Sequence, residues 1–403
     1  MIGHSVRGRP IHAYRVGPPA RRKLLVFGLI HGDESAGVPV ARRLRRVRPP
    51  RGVEILLVGD LNPDGHAAST RQNARGVDLN RNFPRRWRLM GRPFETHFSG
   101  PRPASEPETR VAMELIERVK PRVTVWYHQA LRLVTKKTGG DPALERIYAR
   151  AVRFPHRRLP PYPGTATSWQ NRLIPGSTAF VVELPRGRLS RRGGRTHARA
   201  VLKLARTIAP PRLHQRRIPF SRKRKDDMRR YARRHYGIDD HRLARPRVVV
   251  QHYTTTNSLS SVFNTFRPNV PDQEFGELPG TCAHFVIDRD GAIYQLVALN
   301  LMCRHTVGLN YTAIGIEHVG RSDGAVLSNR RQIRASFKLT RYLQGRFGIK
   351  TRNVIGHNEN RSSPFHRERV PRFRNQTHGD FRRRSMNRYR RGLRRMPRPS
   401  SVR

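Results

Sequence analysis

Short apolar runs recur through this chain, and several of them stop at a histidine or a glutamate. KLLVFGLI runs into His31, RVTVWYH ends on His128, and AFVVELP carries Glu183 near its close, with VEILLVG as a further run between the first two. Runs of this length that do not alternate with polar residues suit strands buried on both faces. Amphipathic stretches lie between them, so the first half is read as α/β. One such stretch, SEPETRVAMELIERVK, reads as a helix with Ser105 as N-cap and Glu108 completing a capping box. In an open parallel sheet the carboxyl ends of the strands share one crevice. Residues far apart in sequence meet there, and His31, Glu34, His128 and Glu183 are expected to converge.

A chain of 403 residues suits two domains better than one. The α/β alternation occupies residues 1–209. The next stretch, PPRLHQRRIPFSRKRK, is basic, rich in proline and without periodicity, so 210–244 reads as a linker with a short helix. RVVVQHYT, CAHFVIDRDGAIYQLV and AIGIEHVG then read as strands, with Asp290-Gly291 as a hairpin turn. Ile333, Phe337, Leu339, Leu343 and Phe347 lie at helical spacing before the strand-like NVIGHNE. A second unit, α/β or α+β, is expected over 245–385, followed by a frayed Arg-rich tail over 386–403.

Lys and Arg number 82 against 28 Asp and Glu, a formal net charge of +54 spread along the whole chain. Such a charge draws a protein to any polyanion through salt-sensitive, non-specific attraction without choosing the partner. Hydrophobic residues at 36%, present in both halves, exclude a largely disordered chain. Cys282 and Cys303 are the only cysteines, too few for a disulfide framework or a Cys-rich zinc module; a single bridge stays open to them, and two buried thiols are expected. The N-terminus MIGHSVRGRPIHAYRVG lacks the apolar core of a signal peptide, and no run is long enough to span a bilayer. The sequence as written reads as cytoplasmic. An N-terminus placed too far downstream would hide an export signal and put the protein outside the cell or in the wall.

His31 and Glu34 leave a strand end on one turn, and His128 ends another strand. Two imidazoles and a carboxylate hold zinc with the fourth position open for water. Among the turn residues of LNPDGHAASTRQNARGVDLNRNFP lie Arg71, Arg75, Asn80 and Arg81, a fork of donors suited to a substrate carboxylate. The strings HGDE, NPDG, RQNARGVDLNRNFP, YHQ and VVELP resemble the zinc carboxypeptidase family, in its murein-peptide amidase branch, over about residues 1–209. That resemblance implies zinc on His31, Glu34 and His128, with Glu183 as general base and acid. It implies Arg71 on the scissile carbonyl, and Asn80 and Arg81 on the substrate carboxylate. The family's mobile tyrosine is not identified.

In the second half His252 ends RVVVQHYT, His357 lies in VIGHNEN and Asp380 in QTHGDF, another tripod with an open position. Glu317 ends AIGIEHVG where it can take a proton from water, and His378 can donate to developing negative charge. VVQHYT, AHFVIDRDGAIYQLV, RHTVGLNYTAIGIEHVG, VIGHNE and THGDF resemble the zinc N-acetylmuramoyl-L-alanine amidases and their peptidoglycan-recognition-like α/β fold, over about 245–385. The resemblance implies a second zinc on His252, His357 and Asp380. The long Arg-rich insertion before Asp380, and His378 where many members carry lysine, depart from the family. His378 therefore stands as an alternative third ligand. His305 is the best candidate to line the substrate groove, and His284, His318 and His366 read as structural or substrate-lining.

Both resemblances imply one polymer. The expectation is a two-zinc hydrolase acting on peptidoglycan or muropeptides, cutting the lactyl-L-Ala amide and trimming the stem peptide between γ-D-Glu and meso-diaminopimelate. The rival is a peptidoglycan- or polyanion-binding protein with weak or no catalysis. No helix-turn-helix, zinc-finger or RNP-like string supports a nucleic-acid reader.

Overall fold

The computed structural model describes residues 1–399. The chain divides into two compact units, Met1–Ala209 and the residues from Pro210 onward. The first unit opens with a short antiparallel pair, β1 (Gly3–His4) and β2 (Pro10–Ile11). Its main sheet contains β3 (Ala13–Val16), β4 (Arg22–Phe27), β5 (Val53–Val58), β6 (Val123–Thr135), β7 (His156–Arg157) and β8 (Thr178–Pro185). The order is β3-β5-β4-β6-β7, with β8 also paired to β6. All pairings are parallel except that of β3 with β5.

Strand alternation sends Leu24, Val26, Val123, Val125, Phe180 and Val182 into one apolar cluster. Helices Val38–Leu44, Pro142–Val152 and Arg191–Ile208 cover that face. Leu25, Phe27, Trp126, Ala179 and Val181 point the other way, against helices Pro107–Val119 and Ala166–Leu173. A parallel sheet covered on both faces buries every strand position, which is why its runs do not alternate. Helix Pro107–Val119 begins one residue later than the capping box requires. Its N-cap is Glu106 without a side-chain cap, and the Ser105 hydroxyl donates to the Glu106 carboxylate at 2.7 Å instead.

The second unit is built on β9 (Leu213–Gln215), β10 (Val248–Tyr253), β11 (Phe285–Ile287), β12 (Ile293–Gln295), β13 (Ala313–His318) and β14 (Val354–Gly356). Their order is β14-β10-β13-β11-β12-β9. β11 and β12 form the antiparallel hairpin around Asp290-Gly291, and the other pairs are parallel.

Three expectations need correction here. The stretch read as a linker is folded: β9 extends the sheet, and helix Arg222–Tyr236 buries Met228, Tyr231, Ala232 and Tyr236. Those apolar residues recur at helical spacing but are separated by arginines, which hid the stripe. The Arg-rich tail is likewise no frayed end over its described part. Helix Arg383–Arg395 buries Met386, Tyr389 and Leu393, and the Tyr389 hydroxyl lies 2.8 Å from both Ser336 and Thr340. Residues 400–403 of that tail lie outside the described residues. Finally, Cys282 and Cys303 are joined as a disulfide rather than kept as thiols, because the chain fold brings their Cα atoms to 5.6 Å.

Candidate metal centres

Among the described residues two groups can hold a metal ion, His31 with Glu34 and His128, and His252 with His357 and Asp380. Within each group the ligand atoms lie within 4.8 Å of one another, and every member is buried. These are the two sets to which the sequence pointed.

In the first centre, His31 and Glu34 sit on the turn after β4, and His128 lies in the neighbouring β6. Nδ1 of His31 and Nδ1 of His128 each lie 3.0 Å from a Glu34 oxygen. The other ring nitrogen of His31 faces Asp78 at 2.9 Å. A carboxylate behind an imidazole fixes its tautomer and leaves the opposite nitrogen free for metal. Burial pulls the His31 pKa down, but Glu34 and Asp78 outweigh it and lift it to about 9. Burial brings His128 down to about 4 against the pull of Glu34. Burial opposes ionisation of Glu34, yet His31 and His128 hold its carboxyl well below the usual range.

Glu183 in β8 is the register partner of His128 in β6. Burial and the Glu34 carboxylate push it up to about 7, the range of a proton-exchanging base. Arg71 bridges the ligand and its support, donating to Glu34 at 2.9 Å and to Asp78 at 3.0 and 3.2 Å. Asn80 accepts from the Ala166 amide, and the Arg81 guanidinium lies 4.2 Å from the Tyr162 ring centroid. Arg75 is not in this cluster. It points to Glu106, 3.8 Å away, and is largely exposed.

In the second centre, His252 lies in β10, Glu317 opposite it in β13, and His357 follows β14 on the other side of β10. Asp380 accepts from both histidines, with Oδ2 3.0 Å from His252 Nδ1 and Oδ1 3.3 Å from His357 Nδ1. Burial opposes Asp380 ionisation, but those two bonds hold its carboxyl well below the usual range. Burial lifts Glu317 to about 7 despite His252. His378 is not drawn into the tripod. Its ring stacks on His357 at 4.6 Å, and its Nε2 reaches Glu274 at 3.0 Å. His305 is part-buried beside the tripod, its Nδ1 3.2 Å from His252 Nε2 and 2.8 Å from the Thr306 hydroxyl. His284 bridges the Gly315 amide and the Leu301 carbonyl, a structural role.

Zinc fits both sets. Nε2 of His357 and one oxygen each of Glu183 and Glu317 are buried without a hydrogen-bond partner. Orphaned polar atoms of this kind are costly unless a ligand or water completes them. Two nitrogens and a carboxylate are also a zinc donor set with an open fourth position.

Asp78, Tyr162 and Lys137 belong to the first centre but carried no signal of their own in the sequence. Asp78 lies in the quoted string RGVDLNRNFP, so only its contact with His31 sets it apart. Burial and Arg81 lower the Lys137 pKa, whereas Glu183 raises it, placing this ammonium among the site's charges.

Geometry and donor chemistry define a metallohydrolase. The chain belongs to the zinc carboxypeptidase family, whose model matches residues 1–146, and it also carries an N-acetylmuramoyl-L-alanine amidase domain matched over 242–371. It is 31% identical over 180 residues to murein peptide amidase A of Escherichia coli K12, covering 41% of this chain and 74% of that one. Identity to murein peptide amidase A of Vibrio campbellii is 29% over 197 residues, 45% of this chain and 77% of the relative. The crystal structure of a murein-tripeptide amidase from Escherichia coli O157 aligns with 28% identity and a TM-score of 0.42, over 50% of this chain and 90% of that chain. No helix among the described residues is long and apolar enough to cross a membrane.

Proposed function

We propose that the chain is a bifunctional peptidoglycan hydrolase with one zinc in each unit. The observation that carries this reading is the repeated pairing of a ligand histidine with a glutamate on the adjacent parallel strand, His128 with Glu183 and His252 with Glu317. Each glutamate is buried, keeps one oxygen unpaired and has a pKa near 7.

His31, Glu34 and His128 would hold the first ion, and His252, His357 and Asp380 the second. Zinc in these positions supplies a Lewis acid for the scissile carbonyl and lowers the pKa of water. Glu183 takes the proton of the attacking water and returns it to the leaving amine. Arg71, lodged beside Glu34, donates to the carbonyl oxygen as it gains charge. Arg81, under Tyr162, and Asn80 hold the carboxylate of the released residue. The murein peptide amidase relatives support a stem-peptide substrate, and an Arg-lined site suits meso-diaminopimelate as the released residue after γ-D-glutamate.

In the second unit Glu317 moves the proton and His378, at the rim of the tripod, donates to the oxyanion. The matched amidase domain supports cleavage of the amide between the lactyl group of N-acetylmuramic acid and L-alanine. The wall polymer and its fragments are thus the proposed partners, with the +54 charge adding a salt-sensitive attraction to polyanions.

The test is zinc stoichiometry with mass spectrometry of muropeptide products, on wild type, His31→Ala and His252→Ala. Two zinc ions are expected, each substitution removing one ion and one kind of cut. Retention of both ions and of both products in either variant would refute the assignment.

A further inference from the structure

Between the end of β8 and the start of helix Arg191–Ile208 lies a cavity of about 410 Å³, lined in part by Arg132, Phe154, Arg188, Arg192 and His197. No carboxylate lines it among the described residues. Arg188 and Arg192 flank the start of helix Arg191–Ile208, whose N-cap Ser190 accepts from the Gly193 amide and whose first turn contains no acid. The first amides of a helix lack intrahelical partners and carry the positive end of its dipole.

A second, independent feature points into the same space. His197 is 3% exposed and lines the cavity, with Nδ1 2.8 Å from the Tyr148 hydroxyl and no hydrogen-bond partner for Nε2 among the described residues. Tyr148 in turn lies 2.7 Å from the Tyr127 hydroxyl, which has no other partner there. Only one direction of donation satisfies this chain: Tyr127 donates to Tyr148, and Tyr148 donates to His197 Nδ1. The reverse order strands the Tyr127 hydrogen in the core, at the cost of an unmade buried bond. The His197 proton therefore sits on Nε2, aimed into the cavity.

We propose that this cavity binds a phosphate or diphosphate ester. Its charged groups are all cationic, three guanidinium groups, and the helix start and the His197 Nε2–H stand beside them. This is the pattern that recognises phosphate oxygens. Its size exceeds a bare phosphate, and Val152, Phe154 and Leu189 give an attached organic group an apolar wall. The loop bearing Arg188 is tied to the metal centre through Gln129. That side chain donates to the Pro185 and Gly187 carbonyls at 3.0 and 2.9 Å, while the Gln129 backbone amide donates to Glu34 at 3.1 Å.

Calorimetric titration of the zinc-loaded full chain with inorganic pyrophosphate, at physiological ionic strength, tests the site. Saturable binding is expected, weakened at least tenfold in Arg188→Gln/Arg192→Gln. It should be unaltered in Arg195→Gln/Arg199→Gln, which removes the same charge from exposed positions of the same helix. Equal loss in both double variants, or binding that never saturates, overturns the proposal. A second readout needs no variant: pyrophosphate should shift the His197 ring nitrogen resonances of the wild type, and unmoved resonances overturn the proposal as well. The source of the phosphate is read from kinetics. Competition with a phosphate-bearing muropeptide alone supports a substrate group, and an altered rate on the plain tripeptide supports a free effector.

Discussion

Glu317 stands directly across from His252 on adjacent parallel strands, and it is buried with one carboxylate oxygen unpaired. The register, not sequence proximity, sets this spacing. Removing the carboxylate while keeping its shape should separate metal binding from proton transfer. Glu317→Gln is expected to keep its zinc and lose about 10²–10⁴-fold in release of stem peptide from muropeptide. Glu183→Gln should do the same to peptide trimming alone. Zinc content with product analysis checks both, and full activity in either variant would remove that glutamate from the mechanism.

A pH experiment follows from the same carboxyl. Burial raises Glu317 from 4.5 to about 7 in the metal-free fold, so the native state binds its proton more tightly than the unfolded chain. The stabilising contribution is fully present below pH 4.5 and is lost as pH rises through 7. At one pKa unit per 1.36 kcal/mol, the swing is about 3 kcal/mol. Metal-free Glu317→Gln should therefore gain stability relative to metal-free wild type between pH 4.5 and pH 8. Denaturant titrations across that range measure it, and a constant difference between the two proteins would contradict it.

Asp78 supports His31 from behind at 2.9 Å and also accepts from Arg71. Asp78→Asn keeps the size but loses the charge that orients the imidazole. Zinc affinity in the first unit is expected to fall about 10–100-fold, with the second unit unaffected. Competition with a chelator, in a His252→Ala background that isolates the first site, reads this directly.

Leu393, fully buried in the last helix, tests whether the Arg-rich C-terminal stretch belongs to the fold. Leu393→Ala should cost about 2–5 kcal/mol if the helix is a core element. Replacing exposed Arg394 with Ala should change stability by less than about 0.5 kcal/mol. Denaturant unfolding distinguishes these outcomes, and a neutral Leu393→Ala would mark the helix as dispensable.

The sequence by itself pointed to the α/β character of the first unit, to the two candidate triads that the fold brings together, and to both strand-borne glutamates. Apolar runs that end on His or Glu state two things locally: a buried strand, and a polar group at its carboxyl end. Those features need no knowledge of what lies opposite. The tertiary structure decided whatever depended on a partner distant in sequence. It set Asp78 behind His31, His305 behind His252, and Tyr162 over Arg81. It also turned Arg75 away toward Glu106 and placed His378 on the face of His357 rather than in the tripod. The helix Arg383–Arg395 escaped notice, and the short helix expected within 210–244 was not recognised as the core element Arg222–Tyr236, because few apolar residues are interleaved with many arginines. Long cationic side chains reach solvent from the flanks of such helices, so a narrow stripe is enough to bury them, and only the assembled core shows which residues form it.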